Sequence, residues 1–189
     1  MANTPKTKLL IFALLLVCAP AVFAQNAADA TRDKTRERLS SLLTRVGPTV
    51  KVDFQPSSKS PFVFTGVLKE GLKNSDSFEI VISVTTNETI SFRIFPHYKG
   101  GYINVDKAKD PLGFAKKLLV MSDRNFLYWG IDDEADAFAA YTFTLESGFP
   151  SDAIIIVLRS IRNTDGFVGE LRPFIDGSGA APATTHKGL

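Results

Sequence analysis

Histidine and cysteine supply most sites of acid–base, nucleophilic and metal chemistry, and this chain of 189 residues holds two of the first and one of the second. His97 stands between Pro96 and Tyr98, His186 lies near the C-terminus, and Cys18 lies near the N-terminus. Zinc needs three or four chelating side chains, and neither a cysteine pair nor a histidine pair exists to supply them. His97 therefore reads as a turn or surface residue rather than a ligand or base. The densest charge cluster is Asp132, Asp133, Glu134 and Asp136. Calcium takes oxygen ligands, but the segment lacks the Asp-x-Asp-x-Asp-Gly spacing and the distant bidentate glutamate. A solvated hairpin turn is the simpler reading. The rival reading makes this acidic turn, with Glu146, the site of a small metal-dependent hydrolase or a calcium-binding envelope protein. Ser147-Gly148 and Thr65-Gly66 form no nucleophile elbow, and Gly100-Gly101 lacks the lysine of a phosphate loop. No catalytic residue, cofactor or metal ligand is predicted, and the chain reads as non-enzymatic.

Aromatic residues are the richer signal. Fifteen Phe, four Tyr and one Trp are many for this length, and most alternate along strand-like runs. Tyr128 and Trp129 are neighbours in one such run, so their side chains take opposite faces of a sheet. Aromatics on both faces fit a sheet covered on one side and offered to a partner on the other. Tyr128 and Trp129 are accordingly the candidate partner-binding residues.

The elements that must position them begin after a leader. Lys6 and Lys8 precede an apolar run from Leu9 to Ala19, Pro20 breaks it, and Val22-Phe23-Ala24 offers a cleavage site between Ala24 and Gln25. These are the three parts of a secretory signal peptide, and the stretch is shorter than the ~20 residues a membrane span needs. Leu15-Leu16-Val17-Cys18 loosely resembles a lipid-attachment motif at Cys18, with Val17 where a small residue belongs. The expected mature protein is periplasmic or secreted, without a disulfide and without a stable membrane span. Residues 1–24 carry two of the 22 basic side chains, so the remainder balances 20 basic against 20 acidic groups. A neutral chain has no overall field to draw it onto nucleic acid.

Residues 25–30 read as a spacer, 31–176 as one domain and 177–189 as a disordered tail. Thr31 to Val46 is an amphipathic helix with Leu39, Leu42, Leu43 and Val46 inward and Arg32, Lys34, Arg36 and Arg38 solvated, ended by Gly47-Pro48. Runs with period two follow at Phe62 to Val67, Phe78 to Val84 and Ile90 to Ile94, the last two joined through Thr86-Asn87-Glu88. Asp110-Pro111 opens a second helix with the stripe Leu112, Ala115, Leu118 and Leu119, weakened by Gly113. Strands at Asn125 to Ile131 and Ala137 to Leu145 flank the acidic turn. Ser151 to Ile161 reads as helix despite its β-branched run, with Asp165-Gly166 ending or kinking it. The expectation is an α+β domain, an antiparallel sheet of about five strands with helices packed on it, in the order α-β-β-β-α-β-β-α.

The run from Leu118 to Asp132, Leu-Leu-Val-Met-Ser-Asp-Arg-Asn-Phe-Leu-Tyr-Trp-Gly-Ile-Asp, passes from a helix end through an Asn-aromatic pair into a strand and acidic turn. Thr142 to Pro150 then leads into the last helix. With the element order, these stretches resemble the YbjN-type family of bacterial sensory transduction regulators, which has the class I type III secretion chaperone-like fold. The likeness covers roughly residues 31 to 175. It implies a protein- or peptide-binding module, chaperone-like or regulatory, often a homodimer, with no catalytic residue to carry over. Secretion chaperones work in the cytoplasm, so the leader points to a different client for this chain.

Overall fold

The computed structural model describes residues 31–177. The expected leader with Cys18 and the Ala24–Gln25 cleavage point, the spacer, His186 and nearly all of the tail lie outside the described residues. The domain is α+β, as expected. Helix α1 (residues 31–50) is followed by β1 (Gln55–Ser57), β2 (Ser60–Leu68), β3 (Ser77–Val84), β4 (Thr89–Tyr98) and β5 (Gly101–Tyr102). Helix α2 (Pro111–Arg124), β6 (Tyr128–Ile131), β7 (Ala137–Thr144), α3 (Ser151–Ser160) and α4 (Asp165–Asp176) complete it, a single 3-10 turn (Ile161–Thr164) joining the last two. The sheet is antiparallel in the order β1-β2-β3-β4-β7-β6, with β5 added to β4. It has seven strands rather than about five, counting the short β1 and β5 of three and two residues; β1 is too brief to show a period, while β5 lies where the residues after Gly100-Gly101 read as a short strand or extension.

Period two decides which side of the sheet is covered. Phe78, Ile80, Ile82 and Val84 of β3 and Ile90, Phe92 and Ile94 of β4 are buried to 1% exposure or less, in one core with Leu39, Leu43, Phe114, Leu118, Ile154, Val157, Val168 and Leu171 of the helices. The intervening Glu79, Val81, Ser83, Ser91, Arg93, Phe95 and His97 are all at least partly exposed. The helices therefore pack on one face and leave the other open to water, an arrangement natural to antiparallel sheets.

Four local readings change. Helix α1 runs past Gly47-Pro48 to residue 50, where Lys51 takes a positive φ of 63°. Lys51 N–H bonds Pro48 C=O at 3.3 Å and Val52 N–H bonds Gly47 C=O at 3.0 Å, a Schellman ending with lysine in the usual glycine place. Gly47 is needed instead for close approach, since a Cβ there would lie 2.5 Å from Val52 O. Arg32 is not simply solvated: Nε and Nη2 both donate to Val84 C=O, at 3.1 and 2.8 Å, and its guanidinium lies 3.7 Å from the centre of the Phe62 ring. In α2 the inward residues are Phe114, Leu118 and Met121, while Leu112 and Leu119 face out. The break falls in the 3-10 turn Ile161–Thr164, and Asp165-Gly166 opens the twelve-residue α4 rather than ending a helix.

Asp110 caps α2 as expected, accepting from Gly113 N–H at 2.9 Å, with Pro111 at the first helical position. Gly113 is no weakness: a Cβ there would meet the Asp110 carboxylate at 2.2 Å and the Phe174 ring at 2.6 Å.

Candidate binding surface

Three strands and a two-residue extension assemble an aromatic corner on the open face. Arg93, Phe95 and His97 share one phase of β4; Phe138 comes from β7, Tyr128 from β6 and Tyr102 from β5. Phe95 packs edge-on against Tyr102 at 5.9 Å between ring centres and tilts against Phe138 at 5.8 Å; Tyr128 meets Phe138 at 6.4 Å. The Arg93 guanidinium lies 4.8 Å from the Phe138 ring centre and has no carboxylate partner among the described residues. Tyr128 and Tyr102 remain 48% and 43% exposed.

One side of this corner is polar. Tyr102 O–H donates to Glu79 Oε2 at 2.5 Å. That bond, then burial and the negative charge of Glu79, push the phenol up to about 12. The His97 ring lies 4.3 Å from that of Tyr102, its Nε2 is 3.7 Å from Glu79 Oε2, and this buried nitrogen finds no hydrogen-bond partner. His97 thus sits within β4, which runs two residues past Pro96, rather than in a turn. Pro96 is tolerated because β7 pairs with β4 only as far as Ile94 and leaves no acceptor waiting for the missing N–H.

The structure separates the two predicted partner-binding residues. Their side chains take opposite faces as expected, but Trp129 is only 4% exposed and packs against Phe167 of α4 at 6.2 Å. A partner docking on the surface meets Tyr128 alone. Arg93, Phe95, Tyr102 and Phe138 escaped the sequence reading, although the alternation Arg93-x-Phe95-x-His97, opposite in phase to the apolar Phe92 and Ile94, marks the second face.

The acidic cluster is a hairpin turn whose carboxylates hold the turn itself. Asp132 Oδ1 accepts from Glu134 and Asp136 N–H at 3.0 and 2.9 Å, and Asp136 Oδ1 accepts from Asn104 Nδ2 at 2.8 Å. Glu146 follows the far end of β7, roughly 25–30 Å from this turn by strand rise, so the two share no site. No group of three or more metal-ligating side chains comes together among the described residues. A cleft of about 700 Å³ near the end of α1, lined by Leu43, Lys51, Asp53, Phe54, Gln55 and Phe64 among others, has no converging catalytic pair; Gln55 Nε2 bonds Asp53 there at 2.9 Å.

Both outer strands are blunt. β1 has three residues and contains Pro56. On β6, the outward N–H of Trp129 is taken by Ser122 of α2, whose Oγ receives it at 2.7 Å and whose one proton is shared between Leu118 C=O at 3.0 Å and Trp129 C=O at 3.1 Å. A side chain of the covering helix thereby closes the sheet edge.

A second unforeseen feature is Asp165, a carboxylate only 6% exposed. It accepts the backbone N–H groups of Lys73, Asn74 and Ser75 at 2.7 to 3.1 Å and the Ser75 hydroxyl at 2.6 Å. Burial pushes its pKa up, but the Ser75 hydroxyl and the three N–H groups outweigh it and hold the group below the ordinary carboxylate value. At the other end of α4, Asp176 accepts from Lys99 Nζ at 2.7 Å and Tyr98 O–H at 2.8 Å, contacts that lower its pKa despite slight burial. Helix α4 is thus fastened to the sheet at both ends.

Compared with known proteins, the chain matches no family model, no curated protein and no solved structure.

Proposed function

We propose that this protein is an exported, non-enzymatic binding module whose open sheet face holds a protein or peptide client. The observation that carries the reading is the aromatic corner in which the exposed Tyr102 and Tyr128 stand over Phe95 and the buried Phe138, beside an exposed Arg93 without a carboxylate partner among the described residues. Aromatic and arginine side chains concentrate binding energy at interfaces. The two blunt sheet edges favour docking on the face over strand addition. The leader supports a client met in the periplasm, and the order of elements that resembles the YbjN-type family supports a binding role.

The test begins with a client recovered from periplasmic extract by the chain expressed with its own leader. Tyr128→Ala, Phe95→Ala and Arg93→Glu are then expected to weaken that complex about tenfold or more each, with melting temperature and circular dichroism little changed. A client held equally by all three folded variants would overturn the reading.

A further inference from the structure

Charge is unevenly placed on a chain whose basic and acidic groups nearly balance. From Asp132 to Asp152 there are six acidic residues and no basic one, while α1 carries five basic residues against two acidic. Two of those five are engaged: Arg32 by Val84 C=O and the Phe62 ring, Arg36 by Asp33 and Glu37 at 3.6 and 3.5 Å. The other three, Lys34, Arg38 and Arg45, fall at i, i+4 and i+11, one stripe about 17 Å long. All three are exposed, and none has an ion-pair partner among the described residues.

Helix α3 lies beside this stripe and runs the same way. One open cleft touches Lys34, Arg38 and Arg45 together with Phe149 and Ser151 at the start of α3. A second joins Thr49 and Val50 at the end of α1 to Arg159 and Arg162. These two arginines are likewise exposed and without an ion-pair partner among the described residues. Ile156 is 62% exposed, on the side of α3 opposite Ile154, Val157 and Leu158 and one turn from Arg159. Against the five cations stand Glu37, already held by Arg36, and Asp152 in the first turn of α3.

The cations are spread along two parallel helices, whereas an acidic peptide calls for donors that converge. Long basic side chains around an outward isoleucine suit a surface that rests on anionic lipid. The chain's own flanking segments offer little to neutralise it: residues 1–30 hold one acid, Asp29, and residues 178–189 none. We propose that the α1–α3 face docks on a bilayer rich in anionic phospholipid. Lys34, Arg38, Arg45, Arg159 and Arg162 meet the headgroup phosphates, and Ile156 enters the layer between them. Because the helices cover one side of the sheet, a chain seated this way turns its aromatic corner away from the bilayer. On the exported reading above, the compartment is itself bounded by bilayers.

The test is co-sedimentation with large vesicles, using the chain purified from cells that express the full coding sequence. The vesicles hold phosphatidylglycerol and phosphatidylcholine in equal parts, with phosphatidylcholine alone as the neutral control. Binding to the anionic vesicles is expected at about 20 mM salt and is lost by about 500 mM; the neutral vesicles bind none. A basic side chain near an anionic surface contributes roughly fivefold. Arg38→Gln and Arg159→Gln each weaken binding by about that factor, and the triple variant with Arg45→Gln by about a hundredfold. Ile156→Ser weakens it about fivefold and keeps the preference for anionic lipid. Arg93→Gln removes the same charge from the opposite face and leaves vesicle binding unchanged. Circular dichroism confirms that each variant is folded. No binding to anionic vesicles at low salt overturns the proposal. An equal loss in Arg93→Gln also overturns it, since the attraction would then follow net charge alone. Polyglutamate held through these same residues, with the vesicles left unbound, would assign the face to an acidic peptide and overturn it too. Client capture by the open face is measured without lipid, so the two readings fail separately.

Discussion

Asp165 shows how much one buried side chain can hold. Its two oxygens serve three consecutive backbone N–H groups and a hydroxyl on a loop some ninety residues away in sequence. Asp165→Asn keeps the shape but turns an amide toward those donors and removes the charge. It is expected to cost about 2–4 kcal/mol, read from the urea midpoint at neutral pH. Because the folded pKa lies below its ordinary value of 3.8, the contribution is full above that value and lost as pH falls through the folded pKa. The difference between the native chain and the Asn variant should therefore narrow below about pH 4, and a gap constant down to pH 2 would contradict the assignment. Nothing in the sequence announces this residue. Asp165-Gly166 reads as helix punctuation because the partner loop is distant, and only the fold brings them together.

At the scale of elements, Ser122 does for β6 what a charge or proline does for other edge strands. Removing its hydroxyl in Ser122→Ala leaves the N–H and C=O of Trp129 without their partner. A loss of about 1–2 kcal/mol and a greater tendency to aggregate on heating are expected, measured by melting temperature and light scattering; unchanged values for both would show that the edge is protected by other means. Strand periodicity was legible from sequence because the apolar phases of β3 and β4 are buried while most of the alternate positions stay partly exposed. The phase of α2 was not. Leu112, Ala115, Leu118 and Leu119 satisfy helical spacing as well as Phe114, Leu118 and Met121 do, and a helix with apolar residues on two sides does not declare which side is inward. The same ambiguity accounts for the pairing of Tyr128 with Trp129 as binding residues: alternation places them on opposite faces without saying which face the helices cover.

At the scale of the whole molecule, helices cover one face of the sheet and the aromatic corner lies on the other. If the open face is the binding surface, one client per chain is expected, checked by light-scattering mass across a titration, and a mass unchanged by added client would contradict the reading. The carboxylate clasp at residue 165 also bears on how the domain opens. Amides of Lys73, Asn74 and Ser75 belong to a loop that would ordinarily exchange with solvent deuterons in seconds, yet each is held by a buried acceptor on α4. Their exchange should be as slow as that of α4's own amides and quicken in step with them, so that loop and helix detach as one cooperative unit while the strand core beneath stays closed.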